Sequence, residues 1–299
     1  MNVLITGSSG LIGQHLASLL TEKKIRAVGY DRNPPEAKEG NYLFEQGELE
    51  DFPRLAAVIK KHHIDAIVHG GGISHPLVGS RSPNQVVQTN IVGTNYIYEA
   101  ANIFKVKTVI YLSSAAVYGD NNTASLLEDI KPTPTSIYGV SKIAGEYLAQ
   151  LFAKQFGLEI ITLRFPFVYG PGRRMPDPIN DLIIKAKNGE NITVDGMDQQ
   201  LEFIYVKDAV RAIWLALKAE HIRGEVVNIG TGQLTPIREI AANVHEMFPN
   251  VTMKEGHGKL EYDEMGALDC SKAKRILGFE PLYSLKSGML EYAKWIINQ

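Results

Sequence analysis

The feature that most constrains the fold is a glycine-rich loop near the start of the sequence. Residues 6–13 are TGSSGLIG, so Gly7, Gly10 and Gly13 follow one another at three-residue spacing, between an apolar run and an amphipathic segment. A tight turn needs a residue free to take positive φ, a nearby pyrophosphate leaves no room for a Cβ, and a helix must pack closely on its strand. The loop therefore predicts a strand, turn and helix that bind a dinucleotide at the helix N-terminus, against the alternative of a glycine-rich turn without a ligand.

Short apolar runs alternate with longer amphipathic runs through the first half of the chain. Strands are predicted at residues 3–6, 26–30, 66–69, 108–113 and 159–165, with helices between them beginning near Leu11, Phe52, Pro83 and Ser136. Most of these strands lack polar alternation, as expected where helices cover both faces of a parallel sheet. The pattern predicts an α/β fold with a Rossmann-type, doubly wound parallel sheet, in a dinucleotide-binding domain over residues 1–169.

After Tyr169 the sequence changes to GPGRRMPDP, a loop or hinge rich in glycine, proline and charge. Residues 170–299 are expected to form mainly a smaller C-terminal α/β lobe that binds the substrate, with strands from 202–230 returning to the main sheet. The predicted helices of this lobe are 179–188, 206–219, 237–247 and 285–297, and its predicted strands are 192–194, 202–205 and 226–229.

Charge and cysteine content narrow the class of ligand. The 31 basic and 33 acidic residues are interspersed and give a net charge of -2, so neither a nucleic acid nor an anionic membrane is an expected partner. The single cysteine, Cys270, excludes an intramolecular disulfide and a multi-cysteine metal site, and no metal ligands are predicted. The N-terminus resembles no signal peptide, and no apolar run approaches the roughly 18 residues needed to span a bilayer. A small-molecule partner and a cytoplasmic location are the resulting expectations.

An acid at the end of the second predicted strand bears on the identity of the dinucleotide. Asp31 lies 18 residues beyond Gly13, where a carboxylate accepts hydrogen bonds from the adenine ribose. This position favours NAD, although Arg32 would partly offset the repulsion of an NADP phosphate, and strand-end acids without a ligand are common. Glu48 is a candidate partner of the adenine amino group, with a solvated helix N-cap acid as an equal alternative.

Tyr138 and Lys142 are the candidate catalytic pair. They lie four residues apart in a segment with helical periodicity, so they share one helix face. A free phenol has a pKa near ~10, whereas a close ammonium and a bound nicotinamide cation favour the phenolate, so we expect Lys142 to lower the pKa of Tyr138 and to reach the nicotinamide ribose. Such pairs are usually surface pairs, but this one follows a strand that ends in Ser113 and Ser114. A serine hydroxyl there either binds the reacting oxygen or simply caps the strand.

The ordered motifs TGSSGLIG, SSAAVYG, YGVSK, LRFPFVYGPG and DCSKAKRILGFEP resemble the extended short-chain dehydrogenases/reductases of the NAD-dependent epimerase/dehydratase family, typified by UDP-glucose 4-epimerase. The resemblance covers almost the whole chain and implies a Rossmann domain, a small substrate lobe and, frequently, a homodimer through a helix bundle. It also implies that Ser114, Tyr138 and Lys142 are catalytic and that Asn90 stands behind the active site. The predicted contacts of NAD are Gly7, Gly10, Leu11, Ile12, Gly13, Asp31, Arg32, Glu48, Leu49, Gly70, Gly71, Asn90, Ser113, Tyr138 and Lys142.

Two departures from the family pattern lie near the predicted catalytic residues. Ala115 and Ala116 stand where 4,6-dehydratases have Asp-Glu, which disfavours dehydration and leaves epimerisation or simple dehydrogenation. The usual VIHLAA is IVHGGGIS here, which makes Ser74 and His75 candidate substrate contacts together with Ser114. An exposed loop histidine without a ligand is nevertheless the commoner situation.

A third departure concerns the substrate's diphosphate. Leu201 and Glu202 replace an Arg-Asp pair whose arginine clamps that group, and a bidentate donor is not readily replaced. Arg173 and Arg174 are candidate replacements that contact the substrate, and Lys259 is a candidate for a second basic contact, although loop arginines are more often solvated. A substrate without a nucleotide therefore remains an alternative.

The sequence thus predicts an NAD-dependent sugar-nucleotide epimerase-type oxidoreductase in which Tyr138 is the acid/base of hydride transfer. One alternative is an NAD-dependent dehydrogenase of a free sugar or sugar acid, and another is a non-catalytic dinucleotide-sensing module. A homodimer is expected, with helices over residues 83–104 and 136–156 as its candidate faces.

Overall fold

The computed structural model describes residues 1–35, 42–74, 82–173, 175, 177–220 and 222–299. The strands, in chain order, are β1 (Asn2–Thr6), β2 (Arg26–Asp31), β3 (Leu43–Gln46), β4 (Ala66–His69), β5 (Thr108–Ser114), β6 (Asn121–Leu126), β7 (Glu159–Phe165), β8 (Phe167–Tyr169), β9 (Ile192–Val194), β10 (Gln200–Tyr205), β11 (Val226–Asn228), β12 (Leu234–Pro236), β13 (Met253–Glu255) and β14 (Met265–Leu268). The helices are α1 (Leu11–Glu22), α2 (Phe52–His62), α3 (Pro83–Val86), α4 (Gly93–Ile103), α5 (Ile137–Phe156), α6 (Pro178–Lys187), α7 (Val206–Lys218), α8 (Ile237–Met247), α9 (Ser271–Leu277) and α10 (Leu285–Ile297).

Seven parallel strands form the main sheet in the order β11-β7-β5-β4-β1-β2-β3. From β1 the chain builds outward to β3 on one side and then returns to place β4 on the other side. The order therefore reverses between β1 and β4, which is where doubly wound sheets bind ligands beyond the carboxyl ends of their strands. The predicted α/β class and Rossmann-type sheet are confirmed.

Helices cover both faces of this sheet because its central strands are apolar on both sides. On β1, Val3 and Ile5 pack into one core with Leu16 of α1, whereas Leu4 packs into the opposite core with Leu55 of α2. All of these side chains are at most 1 % exposed. Alternating residues of one strand thus serve two cores, which explains the continuous apolar runs seen in the sequence.

The chain leaves the main sheet at Pro166, between β7 and β8. Proline has no backbone N–H to continue a ladder, so a new three-stranded sheet begins at β8 and has the order β12-β10-β8. Of the strands expected to return from residues 202–230, β11 does pair with β7, whereas β10 joins β8 and β12 instead. The expectation was therefore wrong for the strand at 202–205. Two further pairs, β13 with β9 and β14 with β6, complete the smaller part.

Helix boundaries near the sheet follow local chemistry. The Ser136 side chain caps α5 by accepting a hydrogen bond from Gly139 N at 3.1 Å, and Gly157 ends this helix at φ 73°. Between α3 and α4 the helix continues through a π-helical segment, Val87–Val92. Within the described part of the chain, no helix has the length and apolar character needed to cross a membrane.

Candidate active site

A cavity of about 600 Å³ opens beyond the carboxyl ends of the parallel strands. The sequence-predicted residues that line it are Gly7, Gly10, Leu11, Ile12, Gly13, Asp31, Arg32, Glu48, Leu49, Gly70, Gly71, Ser74, Ser113, Ser114, Tyr138, Lys142 and Arg173. Asn90 is not in the lining and lies behind it. His75 and Arg174 fall outside the residues that the structure describes. Residues far apart in sequence are thus brought to one cavity.

The glycine loop has the close packing that a dinucleotide site requires. Gly7 takes φ +72°, and a Cβ there would lie 2.8 Å from the carbonyl oxygen of Gly70. A Cβ on Gly13 would lie 2.2 Å from the carbonyl oxygen of Gly7. The N-cap residue of α1 is Gly10, which has no side chain to cap the N–H groups of the first turn, and Leu11 and Ile12 line the cavity there. This cradle, which side chains would fill, fits a pyrophosphate.

Asp31 joins the end of β2 to the glycine loop. Its Oδ2 accepts a hydrogen bond from Ser9 N at 3.1 Å, and its Oδ1 accepts one from Asn33 N at 3.0 Å. Each carboxylate oxygen keeps a second lone pair, so this turn-forming role leaves capacity for a ribose hydroxyl. Glu48 is exposed on the cavity wall, and the N-cap of α2 is Asp51 rather than Glu48.

Tyr138 and Ser114 both line the cavity. A hydrogen bond joins their side chains, and Ser114 Oγ also accepts one from Ala116 N at 3.2 Å. Ser114 therefore does cap the strand end, as the simpler alternative held, while still contacting Tyr138. Burial raises the pKa of the Tyr138 phenol, and the hydrogen bond from Ser114 and the positive charge of Arg173 oppose that rise.

Lys142 is buried and its ammonium group is held by the sheet. Its Nζ donates a hydrogen bond to Leu112 O at 2.8 Å and lies 5.8 Å from the centre of the Tyr138 ring. Burial lowers the pKa of Lys142 to about 8, and the Glu146 carboxylate acts in the opposite direction. Ser114 and Arg173 thus favour the Tyr138 phenolate, and the expected effect of Lys142 on the pKa of Tyr138 stays a prediction.

A buried ion pair beneath the cavity was not anticipated from the sequence. Arg164 on β7 donates to Glu146 on α5 through Nε at 2.9 Å and Nη2 at 2.6 Å, and both side chains are almost fully buried. Ser113 Oγ donates to the same carboxylate at 2.6 Å, so the hydroxyl predicted to contact NAD is already engaged. Arg164 Nη1 also donates to Tyr118 OH at 2.8 Å, which ties the segment after Ser114 to the same network. The sequence feature that could have indicated this ion pair is Arg164, a charged residue within an otherwise apolar strand.

Asn90 connects two walls of the site from behind. Its Oδ1 accepts a hydrogen bond from Ile73 N at 2.7 Å, and its Nδ2 donates to Ile73 O and to Ser141 Oγ, both at 3.0 Å. All three polar groups of this buried amide are satisfied. Asn90 therefore fixes the loop after Gly71 relative to the helix that carries Tyr138.

The part of the cavity lined by residues of the C-terminal lobe, where the sequence predicts the substrate and which we call the substrate end, contains few groups suited to a diphosphate. Arg173 lines it, but Nη1 already donates to Val168 O at 2.6 Å and Nε lies 3.6 Å from Asp177 Oδ2. Leu201 lines the wall where the family pattern has arginine, and Lys259 is exposed and outside the lining. Lining residues that the sequence gave no reason to select are Asp120, Met175, Glu261, Tyr262, Asp263, Met265 and Gly266.

Glu202, the neighbour of Leu201, has a framework role. Its Oε1 accepts hydrogen bonds from Thr231 N at 2.7 Å and Gly232 N at 2.8 Å, and its Oε2 accepts one from Leu268 N at 2.7 Å. Three N–H donors satisfy this buried carboxylate, which joins β10 to β14 and to the loop after β11. Glu202 therefore orders the wall of the cavity.

Comparison with known proteins agrees with this geometry. Relatives that match nearly the whole chain include the uncharacterized UDP-glucose epimerase YtcB of Bacillus subtilis, 29 % identical over 97 % of this chain and 96 % of its own length. The dTDP-glucose 4,6-dehydratase of Xanthomonas campestris pv. campestris is 27 % identical over 99 % of this chain and 93 % of its own length.

A solved structure is similar over the same extent. The UDP-glucuronic acid 4-epimerase of Bacillus cereus, in complex with UDP-glucuronic acid and NAD, superposes with a TM-score of 0.90 at 27 % identity and covers 100 % of this chain and 99 % of its own. The sequence profile of the NAD-dependent epimerase/dehydratase family matches residues 3–230, which is more than half of the chain. With its sheet order, glycine loop and cavity in agreement, the chain belongs to the NAD-dependent epimerase/dehydratase family of sugar-nucleotide enzymes.

Proposed function

We propose that this protein is an epimerase-type oxidoreductase that uses NAD to oxidise and reduce one hydroxyl-bearing carbon of a nucleotide sugar. The observation that carries this proposal is the position of Ser114, Tyr138 and Lys142, which line one cavity together with the glycine loop and Asp31. The named relatives act on, or bind, sugars that carry UDP or dTDP. Residues 1–169 would then bind mainly NAD, and residues 170–299 mainly the substrate.

The described residues fit NAD along the length of the cavity. We assign its pyrophosphate to the N–H groups at the start of α1, because glycines leave space there. Asp31 would accept hydrogen bonds from the adenine ribose, with Arg32 and Glu48 beside the adenine. Leu49, Gly70 and Gly71 would form the wall, since a Cβ added to Gly71 would meet Leu49, and a Cβ added to Gly7 would meet Gly70. NAD, when bound, supplies the acceptor and donor of the hydride.

The chain's own part in the reaction is to move one proton and to hold the reacting oxygen. Tyr138 OH would take the proton from the substrate hydroxyl during oxidation and return it during reduction. Ser114 Oγ accepts from Ala116 N, and its single proton, which is directed at Tyr138 in this structure, would turn to the substrate oxygen when the substrate binds. Lys142 Nζ uses one N–H on Leu112 O and keeps two for ribose hydroxyls, which would hold the nicotinamide beside Tyr138.

Epimerisation or dehydrogenation is proposed over dehydration, although dehydratases are among the relatives. Elimination of water needs a further acid and base next to the sugar. Ala116 lines the cavity and Ala115 precedes it, and neither side chain transfers a proton. The residues beside Ser114 therefore favour a reaction in which a hydride would move between the substrate carbon and NAD, and a proton between the oxygen on that carbon and Tyr138.

A second candidate function is an NAD-dependent dehydrogenase of a free sugar or sugar acid. The observation in its favour is the substrate end, where Leu201 and Met265 are apolar and Glu261 and Asp263 are acidic. Acidic groups repel a diphosphate, and Arg173 is already engaged by Val168 O. This candidate uses the same Ser114 and Tyr138 chemistry and differs only in releasing NADH.

The test begins with native purification of the full chain and mass spectrometry of the ligands that stay bound. Turnover is then assayed with UDP-glucose, UDP-glucuronic acid, glucose and glucuronic acid, by following both the sugar product and NADH. Interconversion of epimers without NADH release supports the epimerase, stoichiometric NADH favours the dehydrogenase, and bound NAD with no turnover of any sugar indicates a sensing module.

Tyr138→Phe tests the assigned chemistry. Loss of the proton carrier is expected to reduce kcat by about 10²–10⁴-fold. Tyr147→Phe is the matched control, because this tyrosine lies on the same helix, is 54 % exposed and is absent from the cavity lining. Unchanged turnover in Tyr138→Phe, or equal losses in both variants, would refute the assignment.

We further propose a homodimer through α4 and α5. Large apolar side chains on these helices are exposed, among them Ile103, Tyr147, Leu151 and Phe156, each at roughly half of its surface. Sedimentation velocity of the wild type and of Leu151→Glu tests this face. A monomeric wild type, or an intact dimer in the variant, would contradict it.

A further inference from the structure

His69 has no part in the proposed chemistry, yet it lies between the strand that leads into the glycine loop and helix α4. It is the last residue of β4 and is only 1 % exposed. Its Nδ1 lies 2.7 Å from Thr6 Oγ1 at the end of β1, and its Nε2 lies 2.9 Å from Thr94 Oγ1 on α4. The ring thus joins the strand that leads into the glycine loop to the helix behind Asn90.

Counting protons fixes which ring nitrogen carries hydrogen. Thr94 has one hydroxyl proton, and it is donated to Asn90 O at 2.5 Å. Thr94 Oγ1 also contacts the Tyr111 hydroxyl, but the 2.5 Å contact with Asn90 O, an oxygen that can only accept, holds the Thr94 proton. Thr94 Oγ1 therefore accepts from His69, so the imidazole proton is on Nε2. Nδ1 must then accept, and the hydroxyl of Thr6 is its donor.

Further hydrogen bonds with the same donor-to-acceptor direction extend this chain beyond Thr6 and beyond Thr94. Thr6 Oγ1 accepts from Gly71 N at 3.1 Å, in the cavity wall. Beyond Thr94, Asn90 Nδ2 donates to Ser141 Oγ at 3.0 Å, and Ser141 Oγ donates to Tyr138 O at 2.7 Å. A chain of hydrogen bonds, linked through the covalent bonds of the His69 ring and of Asn90, therefore runs from the loop after β4 to the backbone of Tyr138.

We infer that His69 is a positioning residue, held neutral with its proton on Nε2, which locks the dinucleotide-binding loop to the helix that carries Tyr138. The tautomer follows from the contacts alone, whereas the effect on NAD rests on the proposed function. A protonated ring would place a hydrogen between Nδ1 and the Thr6 hydroxyl, which would have to turn its own proton away from the ring. The link through Thr6 requires the neutral form.

The surroundings of the ring oppose protonation. β5 contributes Tyr111, whose ring centre lies 5.6 Å from that of His69, and α5 contributes the ammonium of Lys142. β1 and α4 contribute the hydroxyls of Thr6 and Thr94. Burial and the Lys142 charge lower the pKa of His69 to about 3, so the neutral ring is expected throughout the physiological range.

The tautomer is tested by ¹⁵N NMR of the full-length, histidine-labelled protein between pH 5 and pH 8. The chain has eight histidines, and the His69 signals are assigned by their loss in His69→Gln. A neutral ring protonated on Nε2, without titration across this range, is the expected result. A ring protonated on Nδ1, or an imidazolium appearing above pH 5, would overturn the inference.

The positioning role is tested by the affinity for NAD, measured by titration calorimetry. His69→Leu leaves the Thr6 hydroxyl without its acceptor and Thr94 without its donor, and NAD binding should weaken about tenfold. His62→Leu is the matched control, because His62 is also buried and hydrogen-bonded, to Glu45 Oε1 at 2.7 Å, but is absent from the cavity lining. It should lose thermal stability and keep its NAD affinity.

His69→Gln separates positioning from general packing, since its amide supplies a donor in place of Nε2–H and should recover part of the affinity. Unchanged NAD affinity in His69→Leu, or an equal loss in His62→Leu, would refute the role. A wild type that binds no NAD would overturn the proposed function and the positioning role together. The NMR result would still decide the tautomer in that case.

Discussion

Gly13→Ala is the substitution that tests most directly whether the glycine loop is a dinucleotide site. A Cβ on Gly13 would lie 2.2 Å from Gly7 O and 2.6 Å from Ser8 Cα, and both are backbone atoms that cannot rotate away. Ordinary contact begins at 3.4 Å, so the loop and the start of α1 must separate by about 1.2 Å, the difference between these two distances. The N–H groups assigned to the pyrophosphate would move by a comparable amount.

Such a displacement exceeds what hydrogen bonds tolerate. N–H···O bonds are made at roughly 2.7–3.2 Å, and a shift of about 1 Å breaks them. A hydrogen bond to a charged group contributes about 1.5–3 kcal/mol, so losing two of them costs about 3–6 kcal/mol and weakens NAD binding by at least about 100-fold. Overpacking against backbone also destabilises the fold by about 1–3 kcal/mol.

The assay compares NAD dissociation constants and thermal unfolding for Gly13→Ala, the wild type and Gly278→Ala. Gly278 has φ +63° and open space around a Cβ, so its substitution adds backbone strain far from the cavity. Gly278→Ala should unfold at a lower temperature and keep the wild-type affinity. If Gly13→Ala binds NAD within threefold of the wild type, or if both variants lose affinity equally, the assignment of the loop is refuted.

Three further substitutions probe other parts of the cavity. Burial lowers the pKa of Lys142 to about 8 and the Glu146 carboxylate raises it, so Glu146→Gln should lower the pKa of Lys142 further. The alkaline limb of the pH profile of kcat/KM should then move to lower pH, and a limb that stays in place or moves to higher pH would contradict this role of Glu146. Asp31→Ala removes a charge that repels the 2′-phosphate of NADP while Arg32 remains, so the ratio of NADP affinity to NAD affinity should rise about tenfold or more. A constant ratio in titration calorimetry would exclude a role of Asp31 in selecting NAD. Leu201→Arg supplies a bidentate donor at the substrate end and should tighten the binding of UDP about tenfold, as measured by equilibrium dialysis. An unchanged affinity for UDP would mean that no diphosphate binds next to residue 201.

The sequence predicts local features well because their chemistry is local. The glycine spacing forces a strand, loop and helix within a dozen residues, and the helical period of residues 136–156 places Tyr138 and Lys142 on one face of α5. Short strands were missed for the opposite reason. β3 is half exposed and β6 is mostly exposed, neither has a marked apolar pattern, and each pairs with a neighbouring strand, β2 and β14 respectively. Their pairing partners are not encoded in the segments themselves.

The interactions that hold the site together depend on contacts between distant segments. Glu146 and Arg164 are unremarkable separately, and only the packing of α5 on β7 brings them to 2.6 Å. His69 likewise carries little information in the sequence, and its role follows from hydroxyls on β1 and α4. The hydrogen bond from the Lys142 ammonium to Leu112 O likewise depends on the packing of α5 against β5.

The substrate end shows how a framework can be kept while recognition changes. Glu202 joins three backbone segments through Thr231, Gly232 and Leu268, so the wall of the cavity depends on an acid at this position. The adjacent Leu201 is half-buried on the cavity wall and makes no comparable tie. A change of charge at position 201 therefore alters what the cavity attracts without breaking the contacts that shape it. The proposed hydride chemistry near Ser114 and the proposed choice of substrate are thus physically separable, because they depend on different residues that line one cavity.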